Sequence, residues 1–206
     1  GSIPRGPEKE SLIAPEPIQT REKRTTVTFD AEPQMIIGYH KPTYPDRDAY
    51  IMDVISALLG RGRTSRLYQR LVVEEQVAVD VSTYSSMPGQ REPNQFFIHI
   101  VTKHPHTPRE VEKIVYEEIN KLKNNLVSTR ELEKVHNQVR GQFIRQLDSP
   151  SGLSRQLAFY EHFLGGWENL SRYPETIKSI TPEEIKETAN YYLNQSNRTV
   201  AILENE

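Results

Sequence analysis

At 206 residues without a cysteine, the chain offers one generous domain or two small ones, no disulfide and no thiolate metal site. Lys and Arg total 26 against 28 Asp and Glu, and the net charge of -2 gives no general electrostatic reason to bind nucleic acid or an anionic membrane. Hydrophobic content is 35%, low as in a helix-rich domain with wide solvated faces, and no apolar run reaches the roughly 18 residues of a membrane span.

Residues 1–24 interleave Pro4, Pro7, Pro15 and Pro17 with Gly6 and several charges, a pattern of extended rather than helical chain. The segment reads as a terminus without fixed structure or as an interdomain connector, with a folded domain over residues 25–206. From Thr25 to Phe29 the chain is β-prone. Met35 to His40 is a second, almost continuously apolar strand ended by Lys41-Pro42.

Asp46 or Asp48 then starts a helix with Ile51, Val54, Ile55, Leu58 and Leu59 on one face. It stops at Gly60 and Gly62, residues suited to the left-handed turn after a helix. Thr64 or Ser65 can cap a short second helix carrying Leu67, Tyr68, Leu71 and Val72 on one side. Two strands follow, 77–86 and 94–103, joined by a loop with Met87, Pro88, Gly89 and Pro93. In the first, Val77, Val79, Val81 and Thr83 are expected to share a face. In the second, Phe96, Ile98 and Ile100 alternate with Phe97, His99 and Val101, so both faces carry apolar groups. That predicts helices on one side of the sheet and another body on the other.

The last hundred residues read as helices. Thr107, Ser128 and Thr181 each precede a Glu by three residues, the spacing of a capping box, and Pro follows Thr107 and Thr181 at the first helical position. A further helix with Leu153, Leu157, Tyr160, Phe163 and Leu164 is closed by Gly165-Gly166, Trp167 is expected to be a packing anchor, and Thr199 to Leu203 is a closing strand. The order predicts an α+β, two-layer sandwich: an antiparallel or mixed sheet with its helices mainly on one face.

The run Gly62-Arg63-Thr64-Ser65-Arg66-Leu67-Tyr68, followed by Leu71, Val77-Ala78, Val81 and Ser82, resembles the second, metal-free half of pitrilysin-type zinc peptidases. This is the inverzincin family, which includes the mitochondrial processing peptidases. The helix starts near Val127 and Ile180 and the segment Ile3-Pro4-Arg5-Gly6-Pro7, similar to the joint between the halves of single-chain members, extend the likeness. The resemblance implies a half-domain that works in a clamshell with a zinc-bearing N-terminal half or partner subunit, enclosing peptide substrates. It implies no cofactor in this chain, zinc in the partner half, no activity for this chain alone, and leaves a dimer open. A bacterial periplasm or cell envelope is the expected setting, without membrane insertion.

The chemistry departs from that pattern in two places. The His-x-x-Glu-His signature that supplies two zinc ligands and a catalytic Glu is absent. Of the six histidines, His104 and His106 form the one close pair, best read as loop residues, and His99 and His136 read as satisfied structural side chains. No catalytic and no metal residue is assigned. The family also places an Arg and a Tyr seven residues apart to hold the substrate backbone. Alignment on Leu71, Ala78, Val81 and Ser82 puts Val72 and Val79 at those positions, and Gln76 where Gly is expected. Valine cannot donate to a carbonyl or an oxyanion. Arg66, Arg70 and Tyr84 are the auxiliary contacts that could compensate; in a shifted register the pair becomes Arg70 and Val77, still without Tyr. The cluster Arg61, Arg63, Arg66 and Arg70 is by default a solvated helix face. Two functions follow: the non-catalytic half of a zinc metallopeptidase, or a structural pseudoenzyme module that binds or assembles without supporting cleavage.

Overall fold

Five strands form one sheet in the order β1-β5-β2-β4-β3, where β1 spans Lys23–Thr28, β2 Gln34–His40, β3 Ala78–Met87, β4 Gln95–Thr102 and β5 Arg198–Glu204. In this computed structural model, which describes residues 6, 17–87, 89 and 94–205, β1 runs parallel to β5 and every other neighbouring pair is antiparallel. The helices are α1 (Arg47–Gly60), α2 (Arg66–Tyr68), α3 (Pro108–Asn124), α4 (Thr129–Leu147), α5 (Pro150–Leu164), α6 (Tyr173–Lys178) and α7 (Pro182–Tyr192). The α+β sandwich expected from the sequence is what forms. Among the described residues no helix is long and apolar enough to cross a membrane.

The register decides where the core sits. Met35 pairs with Ile100 and Ile202, Ile37 with Ile98 and Val200, and Tyr39 with Phe96, so one face of the sheet is a continuous apolar surface. These side chains are buried, and Ile51, Met52, Val54, Ile55, Leu58 and Leu59 of α1 are buried in the same cluster. Val111, Val115, Ile119 and Leu122 of α3, Val135 of α4 and Ile185 of α7 complete it. Each fully buried aliphatic side chain contributes about 1.5–3 kcal/mol relative to exposure.

The expected connector lies largely outside the described residues, and so do Pro88 and Pro93 of the β3–β4 loop. β1 begins at Lys23, two residues ahead of the expected boundary. It is fastened from both ends of the chain: Gln19 bonds the Arg198 carbonyl at 2.7 Å, Glu22 pairs with Arg198, and Arg24 makes a bidentate pair with the buried Glu112 of α3. The Arg198 guanidinium also stacks 3.9 Å from the Tyr116 ring centre.

Several local expectations change in three dimensions. Val79 does not share a face with Val81 and Thr83. Ala78 pairs with Thr102 but Asp80 with Val101, so a bulge inserts one residue and turns Val79 out, 55% exposed, while Ala78, Val81 and Thr83 face the core. Gly62 supplies the left-handed turn at φ 82°, but Gly60 serves another purpose. It is the last residue of α1, where a Cβ would lie 2.4 Å from Thr83 Cγ2. Ser65 occupies the N-cap of α2 without capping by its side chain; its hydroxyl donates instead to the Gly62 carbonyl at 2.7 Å.

Thr107 and Thr181 form complete capping boxes. Ser128 accepts from the Glu131 amide, but Glu131 does not reach back, because both its oxygens are held at 2.7 Å by Arg66. A bidentate guanidinium outcompetes one backbone amide for a carboxylate. Ser149 caps α5, whose first residue is Pro150, and Gly165 ends it at φ 73°, as expected for its closing glycine. Trp167 is not a packing anchor. It opens a 3-10 turn, Trp167–Arg172, and is 55% exposed.

Candidate functional site

The face of the sheet turned away from the helices is built by the alternate residues of the same strands. Ile36 pairs with His99 and Ala201, Gly38 with Phe97 and Thr199, and Gln34 with Val101 and Leu203. On β3, Ser82 stands opposite His99 and Tyr84 opposite Phe97. Ile36 is 38% and Tyr84 50% exposed, and Phe97, Val101 and Leu203 are each only half-buried. The Phe97 ring lies against Gly38, with ring carbons 2.8 and 3.1 Å from where a Cβ would stand. His99 Nε2 is 3.1 Å from Gln34 Oε1. The charged residues of these rows, Asp80 and Lys23, are exposed near the two edges of the sheet. The centre is therefore an apolar, partly aromatic floor with a few neutral hydrogen-bonding groups. It can supply contact area and little directed bonding.

At one corner of this sheet α2 runs on as a π-helical turn, Gln69–Glu74, closed by a bond from the Glu75 amide to the Arg70 carbonyl. The Val77 amide then bonds the Leu71 carbonyl at 2.9 Å, which ties the end of the turn to the start of β3. Between them Gln76 takes a left-handed conformation, φ 55°, at the position where glycine was expected. A side-chain-bearing residue there costs about 1–2 kcal/mol. Val72 is half-buried against the core, and Val79 projects from the bulge. Both valines therefore sit close in sequence to the Leu71–Val77 tie, one packed inward and one outward. Neither carries a donor.

The auxiliary residues part company. Tyr84 is on the open face. Arg66 is committed to Glu131, and Arg70 pairs with Glu75 at 2.6 Å and lies 3.6 Å from Glu117. Arg61 donates to Gln142 at 3.2 Å. Half of the basic cluster, Arg66 and Arg70, is thus paired with carboxylates rather than held as a free solvated face; Arg61 meets only a neutral amide and Arg63 stays exposed. His136 is not a satisfied residue: its Nε2 is buried without a partner among the described residues, and burial together with Lys178 lowers its pKa. His104 is exposed and His106 faces Glu110 at 3.7 Å. Among the described residues no group of three or more His, Asp or Glu could hold a metal ion.

Reading the sequence missed Ile36, because a strand apolar on both sides gives no clue to which side stays uncovered. It also missed a cluster beneath the helices, where the buried Asp53 of α1 accepts hydroxyls from Tyr44, Ser85 and Tyr173. Burial and that carboxylate push Tyr44 and Tyr173 well above the ordinary tyrosine pKa.

Residues 1–139 match the family described as the peptidase M16 inactive domain. The chain is 24% identical over 168 residues to the zinc protease PqqE of Helicobacter pylori, covering 81% of this chain and 37% of that protein. A protease structure from Helicobacter pylori superposes with a TM-score of 0.88 at 23% identity, over 98% of this chain and 49% of the other. The peptidase M16 inactive domain from Pseudomonas fluorescens superposes with a TM-score of 0.78 at 15% identity, over 90% of this chain and 44% of the other. At those identities the likeness is one of fold. The chain spans about half or less of the length of each of these relatives.

Proposed function

This chain belongs to the M16 peptidase family as its inactive domain, and from that premise we propose that it is the zinc-free half of a zinc metallopeptidase. It packs against a His-x-x-Glu-His half, in the same chain or a separate subunit, and the residues ahead of β1, 1–22, serve as the connector. Together the two halves enclose a peptide and position it for hydrolysis, with the zinc and its catalytic Glu in the partner half. The observation that carries this reading is the open sheet face. Ile36, Phe97, Val101, Tyr84 and Leu203 form a patch that the chain's own helices leave uncovered, on the side opposite the core. A contiguous exposed apolar surface of this kind marks an interaction site.

Val72 and Val79 favour a narrower role. Two valines at positions where the family has Arg and Tyr supply apolar lining and no hydrogen bond, and losing one such donor costs about 3 kcal/mol of transition-state stabilisation. A module that assembles and binds peptide without supporting cleavage is the second reading.

The test is to mix this chain with a zinc-loaded His-x-x-Glu-His half encoded with it and follow binding and peptide hydrolysis. Complex formation with hydrolysis, both lost with Ile36→Lys and Phe97→Lys, is the expected result. Complex formation without turnover establishes the second reading, and Val72→Arg with Val79→Tyr should then raise kcat/KM. Failure to bind the half at all removes both.

A further inference from the structure

The Asp53 cluster forms the buried end of a cavity between α1, α4, α5 and α6, on the helix side of the sheet and separate from the open face. We propose that this cavity binds a basic amino acid, free or as the carboxyl-terminal residue of a peptide, with its side-chain cation against Asp53 and its carboxylate toward solvent.

The cavity holds about 270 Å³, below the roughly 300–1,000 Å³ of pockets for drug-sized ligands, so it suits a single residue and not a folded segment. Asp53 is 5% exposed. Its partners Tyr44, Ser85 and Tyr173 donate hydrogen bonds but bring no counter-charge. Among the described residues no cation pairs with it. The buried Lys41 feels its charge, yet the Lys41 ammonium donates to the Pro42 carbonyl at 2.9 Å and lies 5.9 Å over the Tyr44 ring. Burying an unpaired carboxylate is costly, and a bound cation would offset that cost.

The walls suit a cation as well. Aromatic rings follow one another around the cavity: Phe143 and Tyr173 at 5.4 Å, Tyr173 and Tyr50 at 6.0 Å, Tyr50 and Tyr44 at 4.7 Å, then Tyr44 and Phe159 at 6.3 Å. Ring faces attract ammonium and guanidinium groups, most strongly where water is excluded. The other charged lining residues are Arg61, half-buried and bonded to Gln142, and the exposed Arg155. The cavity thus has Asp53 at its buried end and the exposed Arg155 at its rim, with Arg61 within electrostatic reach of Tyr173. A simple cation would meet the two guanidiniums, an anion would meet Asp53, and a neutral apolar ligand would leave both uncompensated. A basic residue with a free carboxylate complements both ends.

Calorimetric titration of the chain tests this directly. L-lysine and L-arginine should bind, with norleucine, which lacks the side-chain ammonium, at least tenfold weaker. Lysine amide should bind more weakly than lysine. Arg155→Ala should abolish the difference between lysine and its amide, and Asp53→Asn should weaken lysine at least tenfold. Gly-Gly-Lys binding like lysine identifies a peptide terminus as the source; binding of free lysine alone identifies the amino acid. The proposal is overturned if lysine and norleucine give the same affinity or neither binds, in which case the tyrosines and Asp53 merely pin α1 to β3 and α6. Because Arg155 is exposed, its variant and the norleucine comparison decide the matter even if Asp53→Asn fails to fold.

Discussion

β4 carries apolar side chains on both faces, Phe96, Ile98 and Ile100 on one and Phe97, His99 and Val101 on the other, yet the two faces have different fates. The first row is fully buried under α1 and its neighbours; the second is half-open. Composition does not separate them. The helices cover one side only, and the other stays half-open. The same residue types are therefore buried core on one face and half-open surface on the other, as the proposed pairing with a second half requires.

The largest expected effect contrasts those faces. Ile98→Ala should cost about 3–4 kcal/mol in the isolated chain, as buried aliphatic truncations do, whereas Ile36→Ala should cost about 1 kcal/mol or less, since Ile36 is already partly hydrated. Urea unfolding reads both. Equal losses would mean that the open face is packed after all. In the complex with a zinc-bearing half, Ile36→Ala should weaken association instead.

A second contrast is in pH. Tyr39 is pushed up to about 12 by burial, and Tyr44, Tyr160 and Tyr173 on the same side are also raised. The folded state holds these protons more tightly than the unfolded state, whose tyrosines titrate near 10. Stability is therefore fully present below pH 10 and falls as pH rises through the folded values. Unfolding followed by circular dichroism should coincide with a cooperative rise in tyrosinate absorbance above pH 10. Gradual ionisation of these tyrosines without unfolding would show that the helix side admits solvent.

The smallest effect concerns the corner that joins the faces. Gln76→Gly relieves a left-handed residue but adds backbone entropy to the unfolded chain, so a net gain of about 0.5–1 kcal/mol is expected. It should appear as a raised Tm with unchanged affinity for a partner half. A loss of stability would show that Gln76 makes contacts that outweigh its conformational cost.

Much was legible in the chain itself. Thr107 and Thr181 mark helix starts because a capping box closes within four residues, and the absence of His-x-x-Glu-His is a plain reading of the sequence. What needed the tertiary structure depended on distant partners. Glu131 left its capping role for Arg66, 65 residues earlier, and Gly60 is glycine because Thr83 crosses it. Val79 left the core face because β4 sets a register that β3 meets only by bulging. The Asp53 cavity draws on four helices and the β3 strand, so no local pattern announces it. Periodicity and caps act over one or two turns and are written into the sequence. Which apolar face is covered, and which charge is left without a counter-charge, is settled only when elements far apart in the chain compete for the same space.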